Sequence, residues 1–385
     1  MSETGHQPPP TSAVPGSAIA DRGAEPPIQL TAWSQNARTA RRRRRAMTVA
    51  GAVAGALTLT AVALPTPYIV ESPGPTFNTI GEFDGQPVIT VDGAPTYPTE
   101  GNLDLTTVYV DGPPTGWTTF LDVMTSWVDP AQSLIPKELL YPSGTTSEQV
   151  NAENSEAMTT SQNWAVAAAL ENLGIEYRQR LFVSDFTAES LAEDVLQPQD
   201  QLVSANGGEV TGLEGLKNQL NQSGGAPVEL GIVRDGEELS VDVPVFEGPE
   251  GDWLMGVFLD SDFEFPVEVS ITLENVGGPS AGMMFALGII DEMTPGAMAG
   301  GEHIAGTGTI DPDGTVGEIG GIVQKVTGAS ASEADYFLAP EGNCAELIGH
   351  VPDDIEVYAV GTLDDARSVV EAVGSGATPT APTCG

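Results

Sequence analysis

A serine in a glycine-rich turn and a lysine on the apolar face of a helix are the two residues best suited to chemistry. Ser280 stands in Gly278-Pro279-Ser280-Ala281-Gly282, and the uncharged run 283–290 follows it. Glycines and a proline force a tight turn into a helix that is apolar all round and hence buried. Backbone N–H groups at such a helix start have no intrahelical partner. The place therefore suits both an exposed nucleophilic hydroxyl and an oxyanion held by the backbone around Gly278, Pro279 and Ser280. The plain structural role for the same serine is a helix N-cap. Lys325 lies three residues after Ile322 and four before Ala329, on the stripe that also carries Val326. A desolvated lysine loses basicity, and a neutral amine can take a proton from a serine. Its plain role is a side chain that packs its stem and sends its charge to the surface.

The elements that must position these residues are a strand over 267–273 ahead of the serine turn, and a β-hairpin with Asp313-Gly314 at its tip. Gly320-Gly321 then open the helix that carries the lysine. The turn Gly278-Pro279-Ser280-Ala281-Gly282 and the stretch TGTIDPDGTVGEIGGIVQK over 307–325 together resemble the proteolytic domain of Lon proteases (endopeptidase La), across roughly residues 265–373. The resemblance implies a serine-type endopeptidase with Ser280 as nucleophile, Lys325 as general base and Thr307 as the hydroxyl that orients the lysine. It implies no cofactor, protein or peptide substrates, and a homo-oligomer, since related domains form rings; three scattered histidines and two distant cysteines offer no metal-ligand cluster. Gly277 stands where ordinary Lon enzymes often carry Asp. None of the three lysines, Lys137, Lys217 and Lys325, stands in a G-x-x-x-x-G-K-[ST] phosphate loop, so ATP-driven unfolding is not expected of this chain.

Between about 180 and 246 the pattern reads strand LFVSD, helix AESLAED, strand QLVSA, turn Asn206-Gly207-Gly208, helix GLEGLKNQL, strand PVELGIV, turn Arg234-Asp235-Gly236 and strand LSVDVPV. This order, with Leu196-Gln197-Pro198-Gln199-Asp200-Gln201-Leu202, resembles a PDZ domain of the kind attached to bacterial proteases. Gln199 stands where those domains usually carry Gly, and no GLGF-type loop is visible. The resemblance implies capture of an extended peptide by strand addition.

Residues 46–64 form an uncharged apolar stretch directly after Arg41 to Arg45. Nineteen residues of helix cover about 28 Å, enough for a bilayer core. The arginines should stay in the cytoplasm, leaving everything after Pro65 outside a cell membrane crossed once. A cleaved signal peptide ending at Ala61-Val62-Ala63 is the alternative. Residues 1–64 hold seven Arg against three acids, and the remainder holds seven Lys or Arg against 51 acids, for a net charge of −40. So negative a surface repels phosphate backbones, and nucleic acid is not an expected partner. Cys344 and Cys384 could staple the C-terminal tail to the last domain or remain separate thiols.

The expected organisation is an α/β (α+β) protein. It has a disordered cytoplasmic tail (1–45), a transmembrane anchor (46–64) and strands with a helix (65–180) that complete the peptidase domain or stand alone. A PDZ domain (181–247), a Lon-like proteolytic domain (248–373) and a tail (374–385) follow. Two rivals need excluding: a Ser-His-Asp enzyme using His303, with His350 in another polar loop, and a non-catalytic PDZ scaffold at the cell surface that binds peptides.

Overall fold

The computed structural model describes residues 30–249, 251–273 and 276–384. It divides into a helical N-terminal unit ending at Val62 and a second unit starting at Ala63.

The first unit is helix α1 (Leu30–Val62), whose stretch Thr39–Val62 is long and apolar enough to cross a bilayer. Residues 30–45, expected in a disordered tail, are helical, and the helix stops two residues short of the apolar run's end. Ala, Arg, Gln and Leu dominate that first half and are good helix formers. The rest of the expected tail, residues 1–29, lies outside the described residues.

In the second unit, β1 (Tyr68–Asn78), β2 (Ile89–Asp92), β3 (Asn102–Asp111) and β4 (Ser133–Pro136) come first, followed by the long helix α2 (Ser147–Asn172). A capping box between Thr146 and Gln149 starts α2. Next come β5 (Arg178–Phe186), β6 (Gln201–Ala205), α3 (Leu213–Gln222), β7 (Val228–Arg234), β8 (Glu237–Val243) and β9 (Val257–Glu264). The chain closes with β10 (Glu268–Ile271), α4 (Gly282–Met293), β11 (His303–Gly306), the hairpin β12 (Thr309–Ile310) and β13 (Val316–Gly317), α5 (Ile322–Ala331), β14 (Tyr336–Pro340), β15 (Glu356–Val360) and α6 (Leu363–Gly374).

One six-stranded sheet has the order β15-β14-β11-β3-β1-β4. The first four strands run parallel and the pairs β1–β3 and β1–β4 antiparallel. Strands between residues 68 and 136 thus share one sheet with strands between residues 303 and 360. Its side chains alternate with period two. Leu103, Leu105, Ile304 and Leu338 face the core beneath α2, α4 and α6, while Ala305, Phe337 and Ala339 face the core beneath α5. Helix α5 lies close over the bulge in β1, where a Cβ on Gly328 would come within 3.1 Å of the Gly74 carbonyl oxygen. That close seat fixes the height of Lys325 above the sheet.

The second sheet is antiparallel, in the order β8-β7-β6-β5-β9, and closes a core of its own with α3. Two features differ from expectation. Residues 188–194 form turns rather than a helix, because the Ser190 hydroxyl accepts from the Ala192 N–H and offers the backbone a local alternative. Residues 257–264, expected in the proteolytic domain, pair along their whole length with β5, so this unit runs to Glu264. Asp200, 1% exposed, takes two hydrogen bonds from Arg234 at 2.7 and 2.6 Å and one from the Gln197 N–H at 2.8 Å, which locks the loop before β6. Gln199 has φ +75°, the left-handed backbone for which glycine is the usual choice. Cys344 and Cys384 are joined as a disulfide across 4.9 Å between Cα atoms.

Candidate active site

Helix α4 is capped by Ala281, which contributes no side-chain hydrogen bond. Ser280 precedes it and is therefore not the cap. Its hydroxyl is free for another partner, and Lys325 Nζ lies 2.8 Å from Ser280 Oγ. The same amine donates to Thr307 Oγ1 at 3.0 Å, and the Thr307 hydroxyl donates in turn to the Ser280 carbonyl at 2.9 Å. Thr307 has one proton, already committed to that carbonyl, so toward the lysine it can only accept. The amine is held by an N–H to Thr307, which leaves its lone pair available to Ser280.

Lys325 is 2% exposed. Burial pushes its pKa down from 10.5 to about 7, against a smaller upward pull from the carboxylate of Glu71. Glu71 is buried on β1 and accepts from Ser133 Oγ at 3.0 Å. Nothing near Glu71 in the sequence marks it, because β1 reads as one Pro- and Gly-rich strand among several.

The serine turn is clamped from two sides. Ser161 of α2 donates to the Pro279 carbonyl at 2.9 Å, and the Gly308 N–H donates to the Ser280 carbonyl at 2.9 Å. Gly282 must lack a side chain, since a Cβ there would lie 2.7 Å from Ile310 and 2.9 Å from Ser161. The expected oxyanion donors need correction. Pro279 has no N–H, and that of Gly278 is spent on the Asn154 carbonyl at 3.1 Å. Among the described residues, the N–H groups of Ser280 and Ala281 make no backbone hydrogen bond, which leaves these two, rather than Gly278 and Pro279, open to an oxyanion. Asn154 and Ser161, both on α2, are site residues that the motifs do not reveal.

His303 sits elsewhere. Its Nε2 lies 2.9 Å from Asp104 Oδ2 at the start of β11, whereas Thr307 follows the strand's end, about 13 Å away at 3.3 Å per residue. His350 lies on an exposed turn after Leu347. Among the described residues, no three His, Cys, Asp or Glu side chains converge as metal ligands would.

Beside the turn lies a groove of about 440 Å³ between α2 and the β12–β13 hairpin, lined by Ser161, Trp164, Pro279, Ile310 and the acids Glu153 and Asp311. Burial raises the Asp311 pKa, with Asp313 adding to the effect. A second groove of about 730 Å³ separates α3 from the free edge of β9, floored by Leu213, Leu216, Leu220, Met255 and Val257.

A buried lysine beside a serine at a helix start, on a mixed sheet covered by helices on both faces, has the form of a serine peptidase site. Residues 273–372 match the Lon protease (S16) C-terminal proteolytic domain, and the chain contains that domain. Lon protease 1 of Sorangium cellulosum (strain So ce56) is 38% identical over 92 residues, covering 23% of this chain and 11% of that protein. The chain thus spans about a tenth of the length of the curated relative it matches. The PDZ domain of the SdrC-like protein from Listeria monocytogenes is a structural neighbour at 16% identity and a TM-score of 0.19, covering 20% of this chain and 85% of that one.

Proposed function

We propose that this chain is a membrane-tethered serine endopeptidase working outside the cytoplasm, with a Ser280–Lys325 dyad and no ATPase module in the chain itself. The observation that carries the reading is a lysine amine, 2% exposed, at 2.8 Å from the oxygen of a serine that caps nothing. In the neutral form the amine accepts the Ser280 proton as Oγ attacks a peptide carbonyl, forming the C–O bond of a tetrahedral adduct. The Ser280 and Ala281 N–H groups receive the developing oxyanion. The ammonium then returns its proton to the leaving amine as the C–N bond breaks. Water, activated by the same amine, releases the acyl group.

The unit from β5 to β9 serves as the PDZ-type recruiting module. Its groove offers an extended peptide an unpaired strand edge on β9 and an apolar floor on α3. Five consecutive arginines before the apolar half of α1 support a cytoplasmic N-terminus. Since the three hydrophobic cores among the described residues all lie after residue 63, residues 63–385 serve as the test protein.

Casein or reporter-peptide hydrolysis by that part should fall at least about a thousandfold in Ser280→Ala, with its melting temperature retained, and as far in Lys325→Ala. Active variants would overturn the mechanism. An inactive wild type that still binds peptides in the α3–β9 groove would instead make the chain a scaffold.

A further inference from the structure

The short helix at Phe120–Ser126 is amphipathic the wrong way round. Its inward face carries the half-buried Val123 and the buried Ser126, and Thr118 just ahead of it is buried as well. The large apolar residues Trp117, Phe120, Leu121, Met124, Trp127 and Val128 face outward, with Trp117 75% and Trp127 77% exposed. Soluble proteins rarely leave such an apolar patch uncovered, and one that persists marks a binding surface. A Thr119–Asp122 capping box and the pairing of Thr118 and Thr119 with Thr66 and Pro65 hold the helix in this pose.

That pairing also locates the patch. The Phe120 N–H donates to the Leu64 carbonyl at 3.3 Å, and the Lys137 N–H donates to the Pro67 carbonyl at 3.0 Å, bringing the exposed Leu139 to the same end. Helix α1 ends at Val62, so the chain reaches Leu64 within about 7 Å of leaving the apolar span. Tryptophans at the level where a span meets water are the usual interfacial anchors.

We propose that this patch is a membrane dock: Trp117, Phe120, Leu121, Met124, Trp127 and Val128 sit in the headgroup and acyl boundary and hold the peptidase unit against the bilayer. The proposal rests on the anchored reading above. Its attraction is apolar rather than electrostatic, because no Lys or Arg occurs between residues 65 and 136 while the whole chain carries −40. Salt should therefore strengthen docking or leave it unchanged, the reverse of a polybasic surface.

The test is flotation of residues 63–385, which lack the span, with phosphatidylcholine vesicles. The protein should float, and Trp117→Ser/Trp127→Ser should lower its partition coefficient at least about tenfold with an unchanged melting temperature. Brominated phosphatidylcholine should quench wild-type fluorescence and quench the double variant less. A wild type that stays in the aqueous phase, or a double variant that floats equally well, overturns the proposal. So does sedimentation showing that the patch pairs two copies in the absence of lipid and that the double variant is monomeric. Alkaline extraction of the full chain from membranes reports on α1 separately. Release there defeats the anchored reading, whereas retention with no flotation of residues 63–385 defeats only the dock.

Discussion

Replacing Lys325 by Met keeps an unbranched side chain one atom shorter and removes the amine. The wild-type lysine has a pKa of about 7 in the folded protein against an ordinary 10.5, because burial disfavours its charge. The unfolded chain therefore binds this proton more tightly than the folded one. The resulting penalty is fully present below about pH 7, is relieved as the pH rises, and is gone above about pH 10.5. At about 1.4 kcal/mol per pKa unit, with half the folded lysine already neutral, it amounts to about 4 kcal/mol at pH 7 and about 2 kcal/mol at pH 9. The Met variant escapes it but loses the hydrogen bonds to Ser280 and Thr307, worth about 1 kcal/mol each. It should be inactive, about 2 kcal/mol more stable than wild type near pH 7, and level with it near pH 9. Urea denaturation of residues 63–385, followed by circular dichroism at both pH values, measures the difference. Parallel curves for the two proteins would mean that the folded lysine keeps its charge, balanced by Glu71, and the neutral-amine mechanism would fail.

Three further outcomes are expected. Glu71→Gln removes the charge that pulls the lysine upward, so the acid limb of kcat/KM, near pH 7 in the wild type, should move to lower pH; an unmoved limb would disconnect Glu71 from the site. His303→Ala should hydrolyse peptides within about twofold of wild type while losing about 3 kcal/mol of stability, since it strands the buried Asp104 carboxylate. Activity as low as that of Ser280→Ala would make the histidine the base. Cys384→Ser opens a loop of 40 residues, and by chain entropy should cost about 4 kcal/mol in thermal unfolding, an effect that reductant reproduces in the wild type alone.

The motif residues were legible because their chemistry is local. Gly278 to Gly282 must turn, the run after them must be buried, and 322, 325, 326 and 329 share a helix face whatever the rest of the fold does. What the sequence hides is what arrives from afar. Asn154 takes the Gly278 N–H because α2 packs beside the turn, and no spacing near either residue announces that contact. The boundary at Glu264 is hidden for a similar reason. Residues 257–264 alternate half-buried and exposed like any edge strand, and only pairing with β5 assigns them to the second sheet. The turns at 188–194 show the opposite failure, where a helical composition yields to one serine hydroxyl bonding its own backbone.

The composition makes the low pKa of Lys325 a demanding arrangement. With 54 acids in the chain, a lysine near the surface would almost always meet carboxylates, and each would raise its pKa and hold its proton. Lys325 avoids this by position. Gly328 lets α5 settle onto the β1 bulge, the amine points between Ser280 and Thr307, and among the described residues Glu71 is the carboxylate whose charge offsets its desolvation. Because Ser133 already donates to Glu71, that acid has a partner of its own and does not need the lysine's proton. Ser133→Ala should therefore turn Glu71 toward Lys325 and move the acid limb of hydrolysis upward, opposite in sign to Glu71→Gln. Equal shifts in the same direction would show that the carboxylate acts through packing rather than charge.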